Sequence, residues 1–386
     1  MQSVTYTSQS DMESSARWMV VAMMGLLGMG IVMVASASAV QEFRDGHQLV
    51  LFRSHLIRVA VALCAFVIAS RMRPEWMYKG ALPAWILSLV LLAVVLKMGV
   101  TVKGAQRWLD LGVTRFQPSE FARVSVMLVI GAWAATAREG MRNYRTGVLV
   151  PFGLAGIPAV LILLEPDFGS TVYLLFMGVL VLWVGGARPR HLLGTFMLAL
   201  GVASVYGWER FAHVSRRFAS FHEPETGSQV WQSLTALGRG HLSGVGLGSG
   251  LGKWGYVPEA ENDFILSVVG EELGLLGALF VVGLYGFMLW HGVRLLLGMR
   301  TRFALVVGAG LLFQVVVQAL LNIAVVTAVA PPKGLPLPFV SAGGTSLLML
   351  SISLGLFLGL ARRPEEDPVG DARFARLGSR TRWRET

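Results

Sequence analysis

Three carboxylates fall within five residues of one another in the segment Lys253-Trp254-Gly255-Tyr256-Val257-Pro258-Glu259-Ala260-Glu261-Asn262-Asp263, directly before an apolar run opening Phe264-Ile265-Leu266. Ionisable groups at the mouth of an apolar helix are costly, and they mark substrate paths or proton-handling sites. Asp263 supports two readings. Asn262 or Asp263 ahead of an apolar run is what a helix N-cap looks like. A helix N-terminus also keeps a carboxylate ionised, and an ionised carboxylate can take a proton from a sugar hydroxyl as a general base. One residue can do both.

Other charged residues sit at comparable positions. Glu271 and Glu272 lie roughly 12–14 Å further along the same run if it is a regular helix. At about 100° per residue Glu272 faces nearly opposite Asp263, so they cannot act as a carboxylate pair. Acids at that depth need partners, and Glu272 is expected to pair with Arg123 or Lys97 on other helices. Glu120 and Arg123, in Gln117-Pro118-Ser119-Glu120-Phe121-Ala122-Arg123, stand at i and i+3 of a helix start and predict a local ion pair. The loop Lys103-Gly104-Ala105-Gln106-Arg107-Trp108-Leu109-Asp110-Leu111-Gly112 offers two cations and an indole between glycines. Arg suits phosphate oxygens and glycine allows close backbone approach, although Trp beside Arg also serves as a plain interfacial anchor. Lys333, on the proline-rich Pro331-Pro332-Lys333-Gly334-Leu335-Pro336-Leu337-Pro338-Phe339, is a second candidate cation, and Glu165-Pro166-Asp167-Phe168-Gly169 adds two acids. His213, His222 and His241 lack metal-ligand spacing, and no Walker A, HExxH or Ser–His–Asp order occurs.

The elements that must position these residues are membrane helices. Of 386 residues 54% are hydrophobic and only 15% charged, with a mean hydropathy of +0.61, which is too apolar for a soluble domain. Ten apolar stretches are long enough to cross a bilayer, at 18–40, 55–72, 77–98, 120–137, 146–164, 170–186, 190–208, 264–293, 303–328 and 338–361. The expected architecture is an all-α polytopic integral membrane protein of about ten transmembrane helices. A long extracytoplasmic loop, 209–262, joins helices 7 and 8. Arginines concentrate in alternate short loops, which predicts cytoplasmic termini and a multi-pass protein of the cytoplasmic membrane. The net charge of +10 follows from these flanking arginines and from attraction to anionic lipid, with no nucleic-acid partner implied. Residues 1–17 form a cytoplasmic segment, 18–361 the membrane domain, and 362–386 a basic tail without apolar periodicity, read as disordered. Ala35-Ser36-Ala37-Ser38-Ala39 imitates a signal-peptidase site, but the preceding apolar core is long and the first helix is expected to stay uncleaved. Cys64 is the only cysteine, so no intrachain disulfide can form. Within the long loop, Trp231, Leu234 and Leu237 at helical spacing predict a short helix, either lying on the outer leaflet or packed inward.

Taken together these segments resemble the SEDS family (shape, elongation, division and sporulation), the polytopic peptidoglycan polymerases FtsW, RodA and SpoVE. The resemblance runs from Val34-Ala35-Ser36-Ala37-Ser38 through residues 104–123, Pro166-Asp167-Phe168-Gly169-Ser170, Gln232-Ser233-Leu234 and Gly244-Val245-Gly246-Leu247-Gly248. It continues in Pro258 to Phe264, Gly270-Glu271-Glu272-Leu273-Gly274 and Leu335 to Gly344. It implies a glycosyltransferase acting on lipid II, a disaccharide-pentapeptide on undecaprenyl diphosphate. Asp263 matches the family's essential acid, with the role of general base on the acceptor 4-hydroxyl. Arg107, Trp108, Lys333, Glu259 and Ser341 become the substrate-contacting candidates, the two cations facing developing diphosphate charge. The resemblance requires no cofactor with certainty and leaves a divalent cation, Mg or Mn, as the candidate. It also implies a class B penicillin-binding protein transpeptidase as partner, with other divisome proteins.

Departures are few. Glu261-Asn262 stands where the family commonly has His-Thr, Arg123 where Lys is usual, and Ala342 where Tyr is frequent. Pro331-Pro332-Lys333-Gly334 resembles the division branch more than the elongation branch. A lipid II flippase and a non-enzymatic scaffold are the rival classes; a scaffold would not need Asp263.

Overall fold

The computed structural model describes residues 9–45, 50–102, 105–110, 112, 115–210, 228–252, 257, 259–331, 334–363 and 367–369. Lys333, the segment 253–256 and residues 370–386 lie outside them. Among the described residues the chain forms α1 (Gln9–Asp45), α2 (Val50–Ser70), α3 (Pro74–Met98), α4 (Pro118–Ala137), α5 (Val150–Leu164), α6 (Phe168–Val184) and α7 (Pro189–Arg210). The short α8 (Gln229–Arg239) follows, then α9 (Ile265–Gly298), α10 (Arg302–Val326) and α11 (Gly344–Ala361). Eight helices are long and apolar enough to cross a membrane, and α6 is a shorter apolar helix. The protein is an all-α polytopic membrane protein, and α1–α7 with α9–α11 correspond in order to the ten apolar stretches.

Local chemistry sets the helix starts. Pro74 and Pro118 occupy first-turn positions, where the missing N–H is no loss. Asp167 caps α6 by accepting from the Ser170 amide, and Thr301 caps α10 by accepting from Ala304. The first helix begins earlier than its apolar core, at Gln9, with Asp11 placed favourably in the first turn. α4, α10 and α11 form the interior of the bundle, while α2, α3 and α9 are mostly exposed, as expected of surfaces bathed by lipid.

Two features depart from the sequence reading. The loop after α3 is a three-stranded antiparallel sheet, β1 (Val100–Val102), β2 (Ala105–Asp110) and β3 (Arg115–Phe116). And α9 is not straight: Gly274 takes φ +69 and ψ −169 inside it. A side chain at Gly274 would strike the Gly244 amide and the Leu242 carbonyl at 2.4 Å, so the break exists because loop 240–252 is wedged against it. That loop restores the lost pairing: Val245 and Gly246 donate to the Glu271 and Glu272 carbonyls, and Leu275 donates to His241.

α8 settles the two alternatives for its Trp-Leu stripe. Val230, Ser233 and Ala236 are buried, and the Ser233 hydroxyl donates to the Val326 carbonyl at 2.9 Å. Trp231 and Leu234 point outward and are exposed, while Leu237 packs against the core. Only part of the tail is described, and there Val369 is buried within the main core, so residues 367–369 are docked rather than loose.

Candidate active site at one end of the bundle

The starts of α4, α6, α9 and α11 meet the ends of α3, α5 and α10 at one end of the bundle, bringing the sequence candidates together. Residues 259–264 form a tight turn in which Asn262 and Phe264 both donate backbone N–H groups to the Glu259 carbonyl. Glu259 has a φ of +57, uncommon for a residue with a side chain, and its carboxylate accepts from Asn262 Nδ2 at 3.0 Å. The N-cap position of α9 is Phe264, whose side chain makes no cap hydrogen bond. Asp263 sits in the turn, partly exposed, one residue before the cap position.

A second loop, 334–343, closes over this turn. Ala342 donates its amide to the Glu261 carbonyl at 2.9 Å. The Ser341 hydroxyl donates to the Asn262 carbonyl at 2.6 Å and accepts from the Leu337 amide at 2.8 Å. Ser341 is buried, and its hydroxyl, donating to one loop and accepting from the other, holds the two in register. Gly334 (φ +66) borders the Asp263 carboxylate, 3.5 Å from where a side chain on that glycine would begin. Lys333, the adjoining candidate, is outside the described residues.

The anchor beneath both loops is Asn322, which the sequence reading did not single out. Its Nδ2 donates to the Asp263 carbonyl at 2.7 Å and to the Leu335 carbonyl at 2.8 Å. One turn earlier on α10, Gln318 donates to the Pro336 carbonyl at 2.9 Å and to Ser346 at 3.2 Å. Gln314, Gln318 and Asn322, spaced by four, form a buried amide ladder in an otherwise apolar helix. That spacing was a readable signal, because buried amides in a membrane helix must find partners.

Arg107 and Trp108 do not join Asp263 as a pair. They are neighbours on β2, and successive side chains of a strand face opposite ways. Arg107 turns inward, donating to the Pro166 carbonyl, with its Nε 3.6 Å from Asp167 Oδ2. The other Asp167 oxygen accepts from the Ser170 amide at 3.0 Å. The Arg107 guanidinium is thus engaged by Pro166 and Asp167 within the protein. Trp108 is half-buried in register with Val100. Next to this pair, Glu165 is fully buried and neither carboxyl oxygen has a hydrogen-bond partner. Burial, and then the like charge of Asp167, push its pKa up to about 9, against the opposing pull of Arg107.

The two predicted ion pairs are also corrected. Arg123 donates to Ser170 Oγ at 2.9 Å and to Gln318 Oε1 at 3.5 Å and lies 4.8 Å over the Tyr173 ring, with no direct ion pair to Glu120 among the described contacts. It reaches from α4 to α6 and α10, linking the Arg107–Asp167 cluster to the ladder under Asp263. Glu272 accepts from the Ser36 hydroxyl at 2.7 and 2.8 Å and from the Gly248 amide at 3.0 Å. Glu271 accepts from the Leu251 and Gly252 amides at 3.0 and 2.8 Å. Neither Arg123 nor Lys97, exposed at the end of α3, is the partner of Glu272. The physical reason is the glycine-rich loop, whose uncrowded backbone amides reach the carboxylates first. Among the described residues no group of three or more His, Cys, Asp or Glu could hold a metal ion.

The family described as cell cycle proteins FtsW, RodA and SpoVE matches residues 17–366. The probable peptidoglycan glycosyltransferase FtsW of Alkalilimnicola ehrlichii is 36% identical over 373 residues, covering 91% of this chain and 92% of that protein. The corresponding protein of Coxiella burnetii is 35% identical over 364 residues, covering 90% and 96%. A solved structure described as "Structural coordination of polymerization and crosslinking by a peptidoglycan synthase complex" superimposes with a TM-score of 0.75 at 28% identity, over 90% of this chain and 98% of that one. Thermus thermophilus rod shape determining protein RodA gives 0.67 at 25% identity, over 90% and 97%.

Proposed function

The chain belongs to the FtsW, RodA and SpoVE family, and on that premise we propose that it is a peptidoglycan glycosyltransferase that polymerises lipid II at the outer face of the cytoplasmic membrane. The division role is favoured over elongation by relatives that carry the name FtsW at 35–36% identity. Both termini then face the cytoplasm, and the described end of the bundle faces outward. The partner is a class B penicillin-binding protein transpeptidase within the division machinery. Support for a crosslinking partner comes from the similar peptidoglycan synthase complex, whose own description couples polymerisation with crosslinking.

The observation that carries the reading is the setting of Asp263. It lies, partly exposed, in a turn fixed by Asn322, Ser341 and Ala342 at the bundle end. In the proposed reaction the Asp263 carboxylate takes the proton of the acceptor 4-hydroxyl. The freed oxygen bonds to the anomeric carbon of the growing chain. The bond from that carbon to the undecaprenyl diphosphate breaks, and the diphosphate leaves with the electron pair. Lys333, next to Gly334, is the cation assigned to the departing charge. Arg107 acts from behind, holding Asp167 and the start of α6.

A flippase would need a polar route through both halves of the bundle. The amide ladder of α10 stops at Gln314; beyond it Leu311, Val307 and Phe303 are buried apolar residues. The deciding experiment is lipid II polymerisation by the purified protein with its transpeptidase partner, wild type against Asp263→Asn. Glycan strands from wild type alone support the assignment. Equal strands from both remove Asp263 as the base.

A further inference from the structure

At the other end of α10 the chemistry reverses sign. Arg302 opens the helix and Asn322 lies twenty residues on, about 30 Å at about 1.5 Å per residue, the thickness of a hydrocarbon core. A cavity of 560 Å³ opens there, lined by Ala135, Arg138, Arg300, Thr301, Arg302 and Asp367. Three arginines from two separate connections thus line it beside one aspartate, whose Oδ1 accepts from the Val369 amide at 3.1 Å. The Thr301 hydroxyl is turned to its own helix start, accepting from Ala304 at 3.2 Å, so the positive end of α10 also opens on this cavity. Arg138 ends α4 with φ +46 and ψ −114, a backbone conformation that a residue with a side chain adopts only at a cost. The chain then runs on as a 3-10 turn, Arg138–Arg142, and Arg138 lines the cavity. Asp367 belongs to the docked tail segment whose Val369 is buried in the core, so the carboxylate is held at this cavity by packing.

We propose that this cavity is a binding site for a phosphate-bearing anion, in the first place the headgroup of an acidic phospholipid in the leaflet opposite Asp263, with Asp367 as a built-in competitor. Planar guanidinium groups match phosphate oxygens in pairs, and basic residues beside a membrane surface attract anionic lipid. A docked tail carrying the competing carboxylate makes occupancy responsive to the tail. This site is independent of the reaction assigned to Asp263.

The test uses the purified full-length protein in nanodiscs of phosphatidylcholine with or without phosphatidylglycerol, with retained lipid read by native mass spectrometry. Each basic residue near an anionic surface contributes roughly five-fold, so Arg138→Gln with Arg302→Gln should lower phosphatidylglycerol retention about 30-fold. Asp367→Asn should raise it by about five-fold, and Arg138→Lys with Arg302→Lys should restore much of the loss. The opposite signs keep the test decisive even if the double Gln variant folds poorly. A parallel arm measures thermal stabilisation by inorganic phosphate. Arginine-dependent stabilisation by phosphate without phosphatidylglycerol retention would keep the anion site and overturn the lipid source. Phosphatidylglycerol retention that is equal in wild type, both Arg variants and Asp367→Asn would overturn the proposal.

Discussion

The turn around Asp263 and the cluster around Arg107 solve opposite problems with the same residue types. Around Asp263 the acid is partly exposed, and the neighbouring side chains Asn322 and Ser341 grip backbone carbonyls. The main chain of the turn is fixed through these carbonyls. Around Arg107 the charges are themselves the scaffold: Asp167 caps α6 with one oxygen and faces Arg107 with the other, and the fully buried Glu165 is pressed against them. A carboxylate positioned through its main chain can be replaced with little cost to the fold, whereas one that holds a guanidinium cannot. Activity and stability should therefore separate between the two regions.

The largest expected effect is on activity. Asp263→Asn should lower lipid II polymerisation by roughly 10²–10⁴-fold, the usual worth of a general base, while leaving the thermal midpoint close to wild type. A large fall in the midpoint would make Asp263 a structural residue and dissolve the contrast. Asp167→Ala should do the reverse. Removing one member of a buried pair costs about 3–5 kcal/mol, and here the α6 cap goes too. Asp167→Asn keeps an oxygen for Ser170 and loses only the charge, so its midpoint should fall between wild type and Asp167→Ala. Equal midpoints for the two variants would mean that the α6 cap contributes nothing, and an Asp167→Asn midpoint equal to wild type would mean the same of the charge facing Arg107.

Asn322→Ala tests the link between the regions' two styles. It strips one donor from two carbonyls, and each unsatisfied carbonyl costs about 1–3 kcal/mol. The expected signature is mixed, a moderate loss of stability together with a fall in polymerisation, because Asp263 loses its anchor. Stability loss with unchanged turnover would show that the two loops hold Asp263 by themselves.

Legibility in the sequence follows the same divide. The helices were readable because a bilayer demands long apolar runs, and their order in the structure matches the ten stretches. Asp263 was readable because three acids before an apolar run is a costly pattern. Partners were not. Nothing in hydropathy says that backbone amides of the Gly244–Gly252 region would reach Glu271 and Glu272 before Lys97 or Arg123 could, since that depends on a helix break at Gly274. The inward turn of Arg107 depends on strand alternation in a loop too short and glycine-rich to announce a sheet. Asn322 was legible only as the third step of the Gln314–Gln318 spacing, a pattern that becomes meaningful once α10 is known to be interior.

The smallest predicted effect is the most specific to the charged cluster. Glu165 sits in the connection between α5 and α6, and its pKa is raised from an ordinary 4.5 to about 9 by burial and by Asp167. Between those values the folded protein holds a proton that the unfolded chain has released, so Glu165 makes folding less favourable with each rise in pH through that window. Glu165→Gln keeps the shape and removes the titration. Its thermal midpoint relative to wild type should therefore climb from pH 5 towards pH 9 and then level off. A Glu165→Gln advantage that stays constant across this range would mean the carboxyl is not held protonated. The cluster would then owe its stability to packing, and the contrast with the Asp263 turn would rest on Asp167 alone.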